Sequence, residues 1–425
     1  MNIEQLYELY KQSYKVSTDT RKITKGCIFF ALKGENFNGN EFADEALKKG
    51  ASYAVIDDEE FMTSDATILF DDVLTTLQLL ATYHREKLGI PIIALTGSNG
   101  KTTTKELINA ILSTSFKTTA TQGNLNNHIG VPLTLLSIET DTEIGIVEMG
   151  ANHLKEIEIL SNIALPDYGY ITNFGKAHLE GFGSIEGVIK GKTELYRHIE
   201  KRNKKVFVNA NDQIQMDKTT DLQRFTFGNK SSNLDIELIE ANPFVMVKYN
   251  NIQIKSNLIG SYNFSNIAAA IAIGHYFKVD IGNIKTGIEN YFPENNRSQI
   301  LSKNSNKIIL DAYNANPTSM QAALDNFSGL KEDNKIVVLG DMFELGKDAA
   351  VEHQIVSDVV AKMQLSKAYL IGENFYKTKV QTEGVHTFKS FDDFKQHFTN
   401  NKISDTLFLI KASRGMALER VVELI

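Results

Sequence analysis

The sequence predicts an α/β protein built as three domains. Three observations carry that expectation. The chain has 425 residues, 42% of them hydrophobic, which is more than a single core ordinarily organises. From about residue 91, short apolar runs alternate with segments of helical spacing. This is the pattern of βαβ units and a mainly parallel sheet. From about residue 306 a second, separate alternation begins.

The first 88 residues are mixed and less periodic, so residues 1–88 are expected to form an α+β module. In the central region, 89–297, strands are expected at 92–95, 144–147, 168–171 and 205–208. Helices are expected over 101–113 and 184–199, and the apolar stretch 266–277 closes the domain as a buried helix. In the last region, 298–425, strands at 307–311, 335–340, 367–371 and 406–410, with a helix over 348–363, read as a smaller Rossmann-like domain. Hinges are expected near residues 88 and 297.

Composition narrows the function. A formal net charge of -7 lacks the basic face that nucleic-acid binding needs. The one cysteine, Cys27, allows no internal disulfide, which fits a reducing compartment. The N-terminal stretch has acidic residues among its apolar ones and no signal-peptide core. No apolar run approaches the roughly 18 residues of a membrane span. The expectation is a cytoplasmic monomer with no membrane insertion.

The strongest local signal is Gly97-Ser98-Asn99-Gly100-Lys101-Thr102-Thr103, between a predicted strand and a predicted helix. Glycines there let backbone N–H groups approach an anion, and the helix N-terminus adds its dipole. Lys101 would place a cation on the β- and γ-phosphates, and the Thr102 hydroxyl would ligate Mg²⁺. Leu95 stands where the full G-x-x-x-x-G-K-[ST] pattern has its first glycine. The bland alternative is a glycine-rich turn with an exposed lysine.

Glu148 ends a predicted parallel strand, on the edge where such sheets bind ligands. It reads either as a Mg²⁺ ligand or as a solvated strand-end carboxylate. His178 lies in the loop after the next strand, on the same edge, and reads either as a metal ligand or as a surface histidine. Lys192, on the following helix, is not singled out by the bare sequence.

At these positions the chain resembles the Mur ligases, ATP-dependent amide ligases of peptidoglycan precursor synthesis, over essentially its whole length. The family-wide elements are the phosphate loop, Glu148-Met149-Gly150, the loop from Thr172-Asn173 to His178, and the lysine helix. More telling are Ser17-Thr18-Asp19-Thr20-Arg21 and the run from Phe29 to Lys33-Gly34. Gly123-Asn124-Leu125-Asn126-Asn127-His128, Asp311-Ala312-Tyr313-Asn314-Ala315-Asn316-Pro317-Thr318-Ser319 and Gly340-Asp341-Met342-Phe343-Glu344-Leu345-Gly346 complete the set. Ligases of the family that use glutamate, alanine or diaminopimelate carry different text at 313–317, and the chain has no Asp-Asn-Pro-Arg stretch.

The resemblance implies a reaction and a site. D-alanyl-D-alanine would be added to a UDP-N-acetylmuramoyl tripeptide through an acyl phosphate, with ATP and two Mg²⁺ ions. Lys192, four residues before Tyr196, aligns with the lysine that carries a CO₂-derived carbamate, and Lys190 is its nearby competitor. Thr102 and Glu148 would hold one Mg²⁺, and His178 with carbamylated Lys192 the other. Asn173 would lie near the adenine. Arg297 would face the nucleotide, although Asn296 precedes it where the family often has glycine. Asn263 and Asn266 match a family helix start, with helix capping as the alternative.

Ser17, Asp19, Arg21 and Lys33 would bind the uridine diphosphate, beside Asn38-Gly39-Asn40 where the family more often has Asp-Gly-His. Asn124, Asn126 and Asn127 would meet the substrate. Asn314, Asn316 and Ser319 would meet ATP and the dipeptide, with Arg414 on the same face. The attacking amine must be neutral, and the base that makes it so stays unassigned. The tripeptide's third residue, lysine or diaminopimelate, also stays open. The competing readings are a sibling carboxylate–amine ligase of the folylpolyglutamate or diaminopimelate kind, and an idle ATP-binding scaffold. Against the scaffold, Lys101, Thr102, Glu148, His178 and Lys192 are all present together.

Overall fold

Apolar runs that are buried on both faces become the central strands of two parallel sheets, and everything else is arranged around their ends. The computed structural model describes residues 1–398 and 403–425.

The central sheet has six parallel strands in the order Gln223–Phe227, Lys205–Asn209, Tyr168–Ile171, Ile92–Thr96, Ile144–Glu148, Thr118–Ala120. The first strand in sequence, Ile92–Thr96, sits in the middle. The chain builds outward to one side and then to the other. That reversal opens a crevice at the carboxyl ends of the strands. Helix Lys101–Leu112 follows Ile92–Thr96 and packs under helix Phe264–Tyr276, whose Ile267, Ile271 and Ile273 are buried. Each such side chain contributes about 1.5–3 kcal/mol.

The helix expected over 184–199 is two, Ile185–Lys192 and Glu194–Lys201, meeting at Thr193. An antiparallel sheet of Ile236–Ala241, Phe244–Tyr249 and Ile252–Ile259 was not expected. Phe244–Tyr249 buries every second residue and Ile236–Ala241 only its first, so these strands lack a continuous apolar run.

The last region has a six-stranded sheet in the order Gln299–Lys303, Asn306–Asp311, Leu407–Lys411, Lys335–Gly340, Lys367–Ile371, Val385–Phe388. Only the edge strand Gln299–Lys303 is antiparallel. The last strand in sequence inserts beside the second, which sets Asp311 and Lys411 opposite each other at the sheet's end.

The N-terminal region has a small parallel sheet of Val16–Ser17, Ile28–Phe30, Tyr53–Ile56 and Thr67–Leu69. Strands of two to four residues are too short for periodicity to register. Helix Val73–Leu88 ends on Gly89 and seats this region against the central one. Among the described residues, no helix is long and apolar enough to cross a membrane.

Candidate active site

The carboxyl ends of the central strands and the sheet end carrying Asp311 and Lys411 face one cavity of about 870 Å³. The phosphate loop forms its floor. Gly97 and Gly100 have φ of +144° and +78°, values that glycine adopts without strain. A Cβ on Gly97 would strike the Thr172 hydroxyl, and one on Gly100 the Asn266 amide. These glycines therefore let two neighbouring segments touch the loop, whose Ser98 and Asn99 N–H groups donate to Asn173. Ser98, Asn99, Gly100, Lys101, Thr102 and Thr103 all line the cavity.

Lys101 folds back over the loop, donating to the carbonyls of Gly97 (2.8 Å) and Ser98 (3.4 Å). Burial lowers its pKa, Glu148 opposes that shift, and Arg297 adds to it. An arriving polyphosphate would offset both effects by placing negative charge beside the amine.

Asn173 braces the loop. Its Oδ1 accepts from the Asn99 N–H (3.1 Å) and its Nδ2 donates to the Asn99 carbonyl (2.9 Å). Thr172 Oγ1 donates to the same carbonyl. Asn173 lines the cavity, but its side chain is engaged with the loop. Asn263 also lines the cavity and makes no cap: its Nδ2 donates to the Ile259 carbonyl, while its Oδ1 accepts from Asn266. The capping alternative does not hold for Asn263. Asn266 Oδ1 accepts from Thr104, which ties that helix to the phosphate-loop helix.

Glu148 is 1% exposed at the end of its strand. Asn126 Nδ2 donates to its Oε1 at 2.8 Å, while its Oε2 is buried without a partner. A buried, unsatisfied carboxylate oxygen is costly unless a cation completes it. The donor set thus fits Mg²⁺, with the Thr102 hydroxyl on the same cavity. Asn124 and Asn127 line the cavity too, and Asn127 Oδ1 accepts from the N–H groups of Ile129 and Gly130.

Lys192 is completely buried, its Nζ donating to the Ala151 carbonyl at 3.0 Å and lying over the Phe182 ring. Burial, and then the Lys101 charge, hold its pKa well below the usual lysine range. A neutral amine is the form that adds CO₂, so the residue fits a carbamate. Lys190 is exposed.

His178 has a left-handed backbone, φ +52°. Its Nδ1 donates to Glu344 Oε2 at 2.5 Å, and this bond holds the Glu344 carboxyl below the usual range. Glu344 comes from the last region. Three more hydrogen bonds cross the same gap. Asn316 Nδ2 donates to Asn99 Oδ1 at 2.7 Å, and Lys176 bonds Thr318 and Glu352.

Asn316 and Ser319 form a capping box at the start of helix Pro317–Gly329 and line the cavity with Asn314. Arg297 lies 3.6 Å from the Tyr313 ring centroid. Arg414, expected on this face, is not part of the cavity lining: it lies over Tyr313 at 5.5 Å and pairs with Glu419. Ser17, Asp19, Arg21 and Lys33 are also outside it. Arg21 forms a two-bond pair with Asp19, pulling that carboxyl down to about 2, and Lys33 pairs with Asp57.

Sequence reasoning missed Lys411, 2% exposed on the cavity with its Nζ 2.5 Å from Asp311 Oδ2. It also missed Asp212, the cap of helix Gln213–Lys218, and Tyr262, in the turn Ser261–Asn263, which both line the cavity. The only available signal was Lys411 at the end of a buried strand.

Three family models match the chain: Mur ligase family, catalytic domain, at residues 13–82; Mur ligase middle domain at 95–274; and Mur ligase, glutamate ligase domain, at 296–414. The chain is 35% identical to the UDP-N-acetylmuramoyl-tripeptide–D-alanyl-D-alanine ligase of Bacillus subtilis, covering 97% of this chain and 94% of that one. It resembles a crystal structure of MurF from Acinetobacter baumannii with a TM-score of 0.85 and 30% identity, covering 96% and 92% of the two chains. It also resembles the MurF ligase from Thermotoga maritima in complex with ADP, at a TM-score of 0.84, 25% identity and 96% of each chain.

Proposed function

The chain belongs to the Mur ligase family, and on that premise we propose that it joins D-alanyl-D-alanine to a UDP-N-acetylmuramoyl tripeptide, converting ATP to ADP and phosphate. This is a step of peptidoglycan precursor synthesis in the cytoplasm. The observation that carries the reading is one cavity bounded by the phosphate loop and Glu148 on one side and by Asn314, Asn316 and Ser319 on the other. Nucleotide and incoming dipeptide would meet there. Residues 1–88 hold the nucleotide sugar, 89–297 the ATP, and 298–425 the dipeptide. The enzyme works as a monomer.

The tripeptide's terminal carboxylate attacks the γ-phosphorus, ADP leaves, and an acyl phosphate forms. The dipeptide's neutral amine then attacks the acyl carbon, and phosphate is expelled. Because this is phosphoryl transfer, the protein mainly positions groups and offsets charge. Lys101 leaves its loop carbonyls to meet the β- and γ-phosphates. Arg297, stacked on Tyr313, adds a second cation beside them. Thr102 and Glu148 would hold one Mg²⁺, and His178 with carbamylated Lys192 a second. Those ions would supply charge neutralisation of the transferring group. Asn99, clamped by Asn173 and Asn316, keeps the loop shape fixed. Contacts across the gap exclude water, which would otherwise hydrolyse the acyl phosphate.

Phosphate release from Mg²⁺-ATP with UDP-muramoyl tripeptide, with and without D-Ala-D-Ala, tests the reading. Release that requires both substrates, with pentapeptide seen by mass spectrometry, is expected. Release with another amine in place of the dipeptide would move the chain to a sibling ligase.

A further inference from the structure

The structure carries one strained contact that the proposed mechanism does not use. His178 and Glu344 lie on different regions of the chain, and both have left-handed backbones, φ +52° and +61°. Such conformations are unfavourable for side-chain-bearing residues and persist where surroundings over-determine them, often at functional sites. Here the surroundings are each other. Beside the 2.5 Å bond from His178 Nδ1 to Glu344 Oε2, the Glu180 N–H donates to the Glu344 carbonyl at 3.1 Å. Gly346, at φ +53°, packs against Glu180.

We infer that Glu344 is a positioning residue for His178, supplied across the gap by the dipeptide-binding region. A carboxylate accepts only, so Nδ1 is the donor in this bond and Nε2 is the ring nitrogen left to meet a divalent cation. Carboxylates that orient metal-binding histidines in this way recur in metal sites. The consequence is directional. The histidine is a competent ligand only when the last region is docked, so docking and cation binding favour one another. The inference rests on the reading of His178 as a ligand, and the test separates the two.

Mn²⁺ binding to the full chain with ADP is measured by electron paramagnetic resonance for wild type, Glu344→Ala, Glu344→Gln and His178→Ala. ¹⁵N-histidine spectra report the His178 tautomer. Glu344→Ala is expected to weaken one Mn²⁺ site roughly 10- to 100-fold and to move the His178 proton toward Nε2. Glu344→Gln, which keeps an acceptor oxygen, should recover part of both. If His178→Ala loses the site while Glu344→Ala binds Mn²⁺ as wild type does, the positioning role is overturned and the ligand role stands. If His178→Ala binds Mn²⁺ normally, both are wrong. An unchanged tautomer in Glu344→Ala also overturns the inference.

Discussion

The central region meets its two neighbours in opposite ways. Toward the N-terminal region most of the polar contacts are buried, and several reach backbone carbonyls. His84, 0% exposed, donates from Nε2 to the Ile138 carbonyl at 3.0 Å, while Tyr7 lies 3.2 Å from its Nδ1. Tyr10 donates to the Leu136 carbonyl, and Arg85 pairs with Asp167. Toward the last region the crossing contacts lie beside the cavity and are mostly between side chains: Asn99 with Asn316, Lys176 with Glu352, His178 with Glu344, joined by the Glu180 N–H on the Glu344 carbonyl. The first junction is part of the core. The second is a set of latches. Hinges were expected at both ends, near 88 and 297; helix Val73–Leu88 packs on the central region just before the first, while Arg297 at the second lines the cavity.

Substitutions can break this contrast. His84→Ala should cost about 3 kcal/mol, from the cavity and the orphaned Ile138 carbonyl. Urea unfolding reads the loss, and the affinity of the folded fraction for ADP should stay unchanged. A fall in ADP affinity would mean that the first junction also tunes the site. Asn316→Ala should cost less stability, about 1 kcal/mol for the lost cap. It should nevertheless lower turnover about tenfold, a barrier change of about 1.4 kcal/mol, because Asn99 loses its partner. Steady-state kinetics beside thermal melts separates the two effects.

Protonation sharpens the same contrast. Burial lowers the His84 pKa in the folded chain, against a smaller opposite effect of the Ile138 carbonyl. The unfolded chain, titrating near about 6.5, takes up the proton first as pH falls. The stability this residue contributes is complete above that value and is lost as pH drops toward the lowered folded one. A His84→Gln variant should flatten that part of the stability-against-pH curve. The smallest effect belongs to the second junction. Lys176 is 51% exposed while its partner Glu352 is only 9% exposed, so Lys176→Met should cost about 1 kcal/mol, most of it from the carboxylate left unpaired. Added salt should still open the latched state, since exposed pairs are screened, as small-angle scattering would record.

What could be read from the sequence follows the same division. Strands such as Ile92–Thr96 and Lys335–Gly340 are buried on both faces, so their apolar runs stand out. Phe244–Tyr249 buries every second residue and Gln299–Lys303 is a short edge, so neither did. The phosphate loop was legible because its residues are contiguous. Lys192 was not, because burial of its amine depends on Phe182 and Ala151. Lys411 and Asp311 are 100 residues apart, and only sheet register joins them. The family resemblance named Lys192 where local chemistry had no means to, yet it left Lys411 and Glu344 without a role.

The 870 Å³ cavity takes Asn126 from the central region and Lys411 from the last. A small molecule that fills it must therefore touch both. Such a compound would bridge the two regions and hold the latches shut, so its residence would lengthen with the number of latches it keeps closed. Two inhibitors of equal affinity could then differ widely in how long their effect outlasts washout, and fragments that touch the phosphate loop alone would come and go at the speed of diffusion.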